Sequence, residues 1–377
     1  MSDVQLYLGD CLDILRTLDK NSVQCVVTSP PYWGLRDYGT ARWEGGNAEC
    51  DHKPGNTSRV GRTTLGGGTA TTGHQHEGYC NVCGKCGAIR IDAQLGLEAT
   101  PEEYVANLVA VFREVRRVLR PDGCVFLNLG DSYTGSGKGH TKSGTSEGYK
   151  QATNPGSTTG VPAISIGGLK PKDLVGIPWR VAFALQADGW WLRSDIIWAK
   201  PNPMPESVKD RPTRSYEHVF LLAKSDQYYY DAAAIAEPAQ PFHVCGRSSR
   251  ANVDRTIEHG TRKQDAIAKG TYTGFNDRYK NNPVTTRNKR DVWTISTKPF
   301  RGAHFATMPP DLVEPCILAG SKPGDVVLDP FAGAGTTLLV STRLGRDAIG
   351  IELNADYIAL TKERLAGVQP ILDGICE

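Results

Sequence analysis

Residues 326–337 read Val326-Val327-Leu328-Asp329-Pro330-Phe331-Ala332-Gly333-Ala334-Gly335-Thr336-Thr337. The apolar run predicts a strand over 326–329, and a helix is expected near 336–344. Between them a Gly-x-Gly turn lets a ligand approach the backbone at the carboxyl end of a parallel sheet. About twenty residues on, Ile349-Gly350-Ile351-Glu352 ends a second strand, 348–352, in an acid. A carboxylate there is placed to accept hydrogen bonds from ribose hydroxyls. A lone Gly-x-Gly would indicate only a tight structural turn. Strand, spacing and acid together point to a nucleoside cofactor.

The same alternation recurs upstream. Residues 4–8 read as a strand, 11–18 as a short amphipathic helix and 23–27 as a β-branched strand, which Ser29-Pro30-Pro31 stops. Thr100-Pro101-Glu102-Glu103 announces a helix with a capping threonine, a first-turn proline and a capping-box acid. Val105, Leu108, Phe112, Val115 and Leu119 then mark one apolar face. Arg120-Pro121-Asp122-Gly123 ends that helix before a buried strand at 124–129. A helix over 174–187 precedes strands at 195–198 and 218–222. Residues 134–170 and 231–290 read as loops, 134–170 as mobile. Strands alternating with helices predict an α/β fold, a mostly parallel sheet with helices on both faces.

Composition sets the outer limits. The 377 residues, 39% apolar and 22% charged, describe a globular chain with one large core and insertions, neither disordered nor membrane-spanning. The N-terminus lacks a basic start followed by an apolar run, so a cytoplasmic location is expected. Ten cysteines in a reducing compartment favour metal binding or burial over disulfides.

A second motif, Thr28-Ser29-Pro30-Pro31-Tyr32-Trp33, follows the strand at 23–27. Alone it would suggest a proline-stiffened turn. Paired with Asp329-Pro330-Phe331-x-Gly-x-Gly-Thr, it resembles the S-adenosylmethionine-dependent DNA amino-methyltransferases, and the motif order resembles their β group. Leu8-Gly9-Asp10-Cys11, Arg290-Asp291-Val292-Trp293, the 304–309 segment beginning at His304, the 196–203 segment and Glu217-His218-Val219-Phe220 are similar to further family segments. The resemblance covers most of 1–38, 100–133, 174–236 and 290–365. It implies a Rossmann-like methyltransferase fold and a cofactor held by Asp10, Cys11, Phe331, Gly333, Gly335, Thr336 and Glu352, with Asp329 and His304 near its methionine end. It also implies a prokaryotic or phage-type enzyme, DNA-associated, with a cognate restriction endonuclease as a candidate partner.

The chemistry suits Ser29, Pro30, Pro31 and Tyr32. Methyl transfer to an exocyclic amine is an in-line displacement in which positioning dominates. The Ser29 hydroxyl and Pro30 carbonyl offer two acceptors for the amine hydrogens and stabilise the charge developing on nitrogen. The prolines have no N–H and restrict the chain, keeping these acceptors fixed and uncontested. Tyr32 would stack on a base flipped out of the duplex. Trp33 suits either that pocket or the core. Within the family, serine at the first motif position is associated with cytosine N4, and Asp or Asn with adenine N6. The expectation is N4-methylcytosine, with adenine N6 as the alternative.

Four cysteines, Cys50, Cys80, Cys83 and Cys86, fall within 37 residues. Cys83-Gly84-Lys85-Cys86-Gly87 has zinc-knuckle spacing, and Cys50, His52, Cys83 and Cys86 are the expected ligands of a structural zinc, with Cys80 competing against His52. His74 and His76 are weaker candidates. So small an insertion needs a staple to order itself. The deaminase signature of a catalytic zinc is not matched.

The net charge of +2, from 43 Lys and Arg against 41 Asp and Glu, argues against nucleic acid only as an average. Residues 246–301 hold thirteen Lys and Arg against five Asp and Glu, a local +8 with Tyr272, Phe275 and Tyr279 interspersed, leaving −6 elsewhere. This stretch is expected to contact DNA, with Arg287, Lys289 and Arg290 as candidates. The expected organisation is a catalytic core of 1–43, 99–239 and 290–377, a zinc-knuckle-like insertion at 44–98 and a recognition segment at 240–289. A non-catalytic DNA-binding scaffold and a protein-amide methyltransferase are the competing readings. Target sequence and oligomeric state, monomer or dimer, stay open.

Overall fold

The computed structural model describes residues 2–34, 38–52, 82–134, 168–170, 172–239, 285–297 and 307–368. Cys80, His74, His76, His304, Tyr272, Phe275, Tyr279 and most of the 134–170 and 246–301 stretches lie outside the described residues. The chain divides into a larger compact unit, Met1–Tyr230 with Asp291–Glu377, and a smaller one, Asp231–Arg290.

In chain order the elements are β1 (Val4–Leu8), α1 (Cys11–Thr17), β2 (Val23–Thr28), β3 (Arg42–Glu44), β4 (Ile89–Ile91), α2 (Pro101–Val118), β5 (Leu119–Leu129), α3 (Ile177–Ala187), β6 (Trp191–Ala199) and β7 (Tyr216–Ala223). The smaller unit contributes the antiparallel pair β8 (Glu237–Pro238) and β9 (Thr286–Arg287). Then follow β10 (Val292–Thr294), α4 (Pro310–Gly320), β11 (Val326–Asp329), α5 (Thr336–Arg343), β12 (Asp347–Glu352) and α6 (Ala355–Ala366).

One eight-stranded sheet organises the larger unit, in the order β1-β12-β11-β2-β5-β7-β6-β10. Strands β1 to β5 along that order are parallel neighbours, β7 runs antiparallel to β5 and β6, and β10 is parallel to β6. The decisive pairing is β11 with β2, Val327 opposite Cys25 and Leu328 opposite Val26. Parallel neighbours end on the same edge. The glycine turn after β11 and the Ser-Pro-Pro-Tyr segment after β2 therefore leave the sheet side by side.

Side chains alternate across each strand. Val26 joins the main core with Leu15 of α1, with Tyr104, Leu108, Phe112 and Val115 of α2, and with Val181 and Leu185 of α3. On the opposite face Cys25 lies beside Cys124 of β5 and Cys316 of α4, and the hydrogen bond with Cys124 and then burial push its thiol upward. A second cluster joins Leu338 and Leu339 of α5 to Ile358 and Leu365 of α6.

Thr100 caps α2 as its sequence predicts, accepting from the Glu103 N–H at 3.2 Å. The buried face of α2 also includes Tyr104 and Val111, whereas Val105 is half-buried. The helix expected over 174–187 begins at Ile177, because the Asp131 carboxylate accepts from the Gly176 and Ile177 N–H groups, each at 3.0 Å, and fixes its start. Helix α4 carries buried residues on most sides and an internal proline, Pro315, so no amphipathic period announces it. Among the described residues, no helix is long and apolar enough to cross a membrane.

Candidate active site

The turn between β11 and α5 converges with the ends of β12 and β1. Gly333 N–H donates to Glu352 Oε2 at 2.8 Å, and Asn354 N–H donates to Glu352 Oε1 at 2.8 Å. Burial pushes the Glu352 carboxyl upward. Gly9 N–H donates to the Glu352 carbonyl at 2.9 Å, so Asp10 is its neighbour. Asp10 Oδ1 caps α1, accepting from Leu12 N–H at 2.9 Å and Asp13 N–H at 3.1 Å. Cys11, the first residue of α1, is buried in the main core, and burial with the adjacent Asp10 charge pushes its thiol up to about 12. Gly335 has φ +69°, and a Cβ there would lie 2.3 Å from the Thr361 methyl carbon, so only glycine lets α5 start against α6. Thr336 opens α5 and is buried, and Phe331 packs against the main core.

Asp329 ties this turn to the second motif. Its Oδ1 accepts from the Thr28 hydroxyl at 2.6 Å and the Phe331 N–H at 3.1 Å, and its Oδ2 from the Thr337 hydroxyl at 2.8 Å. Burial outweighs these donors and pushes the carboxyl up to about 6. Thr28 immediately precedes Ser29. The two motifs thus share one buried carboxylate.

After Thr28 the chain leaves the sheet. Pro31 C=O accepts from the Tyr104 hydroxyl at 2.8 Å, anchoring the double proline to α2. Trp33 is buried with its indole N–H on the Glu98 carbonyl at 3.0 Å, which places it in the core. Ser29 Oγ is contested, unlike the expectation: it donates to the Tyr32 hydroxyl at 3.3 Å and lies 3.4 Å from the Asn128 amide. The Tyr32 hydroxyl in turn donates to Glu217 Oε2 at 2.7 Å. Asn128 Nδ2 donates to the Tyr32 hydroxyl at 2.8 Å and to Glu217 Oε2 at 3.0 Å, while Lys200 pairs with Glu217 Oε1. The Tyr32 ring lies on Gly130, where a Cβ would come within 2.5 Å of its Cε2 atom. Burial first, and the Glu217 charge second, push the Tyr32 phenol well upward, so it remains a donor.

The family-like segments 196–203 and 217–220 contain Lys200 and Glu217 without giving them a role, and no local pattern singles out Asn128 or Gly130. Their roles arise from sheet pairing: Asn128 lies opposite Val219 and Tyr216 opposite Ala199, which brings β5, β6 and β7 residues to Tyr32. The available hint is a polar asparagine inside the otherwise apolar strand at 124–129.

The cysteine cluster assembles on the β3–β4 ribbon. Cys50, His52, Cys83 and Cys86 place one ligand atom each within 4.8 Å of one another. Cys50 Sγ and Cys83 Sγ are 3.9 Å apart, and Cys86 Sγ is 3.2 Å from His52 Nδ1. A tetrahedral zinc with Zn–S bonds of about 2.3 Å has S···S edges of about 3.8 Å, so the donor set fits. Backbone N–H groups of Asn47 and Ala88 hold the Cys86 thiol low. Trp43 stacks on His52 with ring centroids 5.2 Å apart. The far end of the ribbon reaches the site: Tyr38 N–H donates to Gln94 Oε1 at 2.7 Å, Gly34 N–H to the Gly96 carbonyl at 2.8 Å, and Asn354 Nδ2 to the Tyr38 carbonyl at 3.2 Å.

In the smaller unit, Arg287 and Arg290 both pair with Glu237, at 3.2 and 2.6 Å, and Lys289 is half-buried.

The geometry agrees with what the chain is similar to. The DNA methylase model for N6 and N4 methyltransferases matches residues 23–363. The type II methyltransferase M.Cfr9I of Citrobacter freundii is 40% identical over 97% of this chain and 89% of its own length. M.XycI of Xanthomonas campestris pv. cyanopsidis is 41% identical over 96% and 87%. M.SmaI of Serratia marcescens is 39% identical over 96% and 90%. Among solved structures, the cytosine-N4-specific PvuII DNA methyltransferase shares the fold at a TM-score of 0.53 and 17% identity, over 99% of this chain and 88% of that one. The two motifs joined through Asp329, together with these matches across nearly the whole sequence, place the chain in the N6/N4 DNA methylase family of S-adenosylmethionine-dependent methyltransferases.

Proposed function

We propose that this enzyme methylates the exocyclic N4 amine of a cytosine flipped out of DNA. The observation that carries the reading is the Thr28–Asp329 hydrogen bond, which sets Ser-Pro-Pro-Tyr directly beside the glycine turn. Glu352 and Asp10 are disposed to hold the nucleoside part of S-adenosylmethionine, with Cys11, Phe331, Gly333, Gly335 and Thr336 shaping the walls. When bound, the cofactor supplies a methyl group on a sulfonium. Ser29 Oγ and the Pro30 carbonyl accept the two amine hydrogens and turn the nitrogen lone pair toward that methyl group. Tyr32 stacks on the base.

Serine at the head of the motif supports cytosine over adenine, and the PvuII methyltransferase that shares the fold is itself cytosine-N4-specific. The basic stretch 246–301, including Arg287, Lys289 and Arg290, serves as the DNA-recognition segment. A structural zinc on Cys50, His52, Cys83 and Cys86 orders the β3–β4 ribbon. The type II names of the relatives support a place in the bacterial cytoplasm beside a cognate restriction endonuclease.

The test is incubation with labelled cofactor and mixed-sequence DNA, digestion to nucleosides and identification of the product. Label in N4-methylcytosine is expected. Label in N6-methyladenine overturns the cytosine assignment, and label in neither favours a non-catalytic scaffold.

A further inference from the structure

We propose that Glu217 is a positioning residue that sets the direction of the hydrogen-bond chain ending at Ser29, and so makes Ser29 an acceptor toward the target amine. The proposal rests on the reading of Ser29 as an amine acceptor. A serine hydroxyl can donate or accept. If its proton faced the amine, the contact would repel the amine hydrogens instead of holding them.

An ionised carboxylate is acceptor-only. Glu217 Oε2 therefore fixes the Tyr32 hydroxyl as donor, at 2.7 Å. With its proton committed, the Tyr32 oxygen can only accept, from the Ser29 hydroxyl at 3.3 Å and from Asn128 Nδ2 at 2.8 Å. The Ser29 proton thus points inward to Tyr32, and with Asn128 Nδ2 reaching one lone pair at 3.4 Å, the other is left to accept from the amine. Asn128 reinforces the polarity, since its Nδ2 donates to both Tyr32 and Glu217. Lys200 holds the other oxygen, Oε1, and rests over the Trp198 ring with its Nζ 4.3 Å from the centroid. The Lys200 and Glu217 side chains are only 18% and 16% exposed. An ion pair so shielded is weakly screened and keeps one geometry.

Lys200 makes the proposal testable. In Glu217→Gln the amide would turn its oxygen to the Lys200 ammonium and its NH2 group to Tyr32. The chain would then run backwards, with the Ser29 proton facing the base. Adding Lys200→Met removes the ammonium, so the glutamine oxygen can return to Tyr32 and restore the polarity. The double variant replaces a shielded ion pair by neutral groups of similar size, a change that is often neutral or stabilising.

The experiment measures single-turnover methyl transfer and the KM values for cofactor and DNA in the full chain. For E217Q the expected result is a fall in the methyl-transfer rate of about 10²-fold, the size of losing one preorganised contact to developing charge, with both KM values within about threefold of the parent. E217Q/K200M should recover at least tenfold of that loss. Wild-type rates in E217Q overturn the proposal, and so does a double variant as slow as the single one. Should E217Q not fold, the double variant carries the test alone: rates within about tenfold of wild type support polarity, and slower rates overturn it. Ser29→Ala separates the two readings, because full activity in S29A would sink the amine-acceptor reading itself, whereas inactive S29A with wild-type E217Q removes only the role of Glu217.

Discussion

Thr28 and Asp329 are 301 residues apart in the chain and 2.6 Å apart in space, donor hydroxyl to carboxylate. The bond joins the strand that leads into Ser-Pro-Pro-Tyr to the strand that leads into the glycine turn. It does so with a carboxyl that burial has pushed to about 6.

That raised value predicts a pH dependence of stability. Asp329 titrates near 6 when folded and at its ordinary 3.8 when unfolded. Between these values the folded chain binds more protons, so this group's contribution falls as pH rises and the ionised form costs about 3 kcal/mol above the window. Asp329→Asn keeps the acceptor for Thr28 and can donate to Thr337 Oγ1, which then donates to the Val27 carbonyl at 3.1 Å. Urea denaturation of D329N should show a flatter pH profile between about 4 and 6, with stability at pH 8 at least equal to wild type. An unchanged slope would count against a buried, raised Asp329.

Two glycines with similar backbone angles should respond differently to alanine. Gly335 and Gly345 have φ +69° and +74°, but only at Gly335 does a Cβ meet a neighbour, Thr361. Gly345→Ala should cost about 1 kcal/mol from backbone strain alone. Gly335→Ala adds overpacking of about 1–3 kcal/mol and should weaken cofactor binding measured by calorimetry. Equal costs at both positions would contradict the close approach of α6.

The Tyr32 ring offers a third test. Gly130→Ala places a methyl group against its edge, which should displace the ring and lower the rate of methyl transfer at least tenfold. Cofactor affinity should stay within about twofold, because Gly130 is not among the residues around the glycine turn. Coupled loss of cofactor binding would point to general disruption.

Metal removal should act at a distance. The ribbon holding Cys50, His52, Cys83 and Cys86 also bonds to Gly34 and Asn354 through Gly96 and Tyr38. Chelation of purified enzyme should release about one zinc per chain, raise amide exchange over 33–34, 38–40 and 89–98, and lower activity at least tenfold. Zinc-free protein with full activity would remove the staple.

For DNA, charge reversal at Arg287, Lys289 and Arg290 should weaken binding and flatten its salt dependence by about one unit of slope per lost phosphate contact. Two of these residues are paired with Glu237, so Glu237→Gln should instead strengthen binding at low salt. A filter-binding series across salt concentrations reads both effects.

What is legible in the sequence is local. The 326–329 strand, its glycine turn and Glu352 can be read because a short apolar run, two glycines and an acid recur at fixed spacing. The cysteine cluster is legible for the same reason, since Cys83 and Cys86 lie on one tight turn. Helix α4 is not, because apolar residues surround Pro315 without a polar face. Glu217 and Lys200 are not, because their meaning depends on β7 running antiparallel to β5 and β6. Ser29 reads as uncontested for a related reason: local rules describe the prolines well, but not a tyrosine hydroxyl tethered from another strand.

The pairing of β2 with β11 also bears on how the chain is made. Synthesis releases β2 and β5 long before β11 (Val326–Asp329), the strand that must slot between β2 and β12, emerges. Until then one side of Val23-Gln24-Cys25-Val26-Val27-Thr28, buried throughout in the finished fold, is an open edge with unpaired backbone groups. Such long-range closure is slow, and the waiting edge is exposed to pairing with another nascent chain. The strand that leads into Ser-Pro-Pro-Tyr is therefore one on which productive folding and aggregation compete.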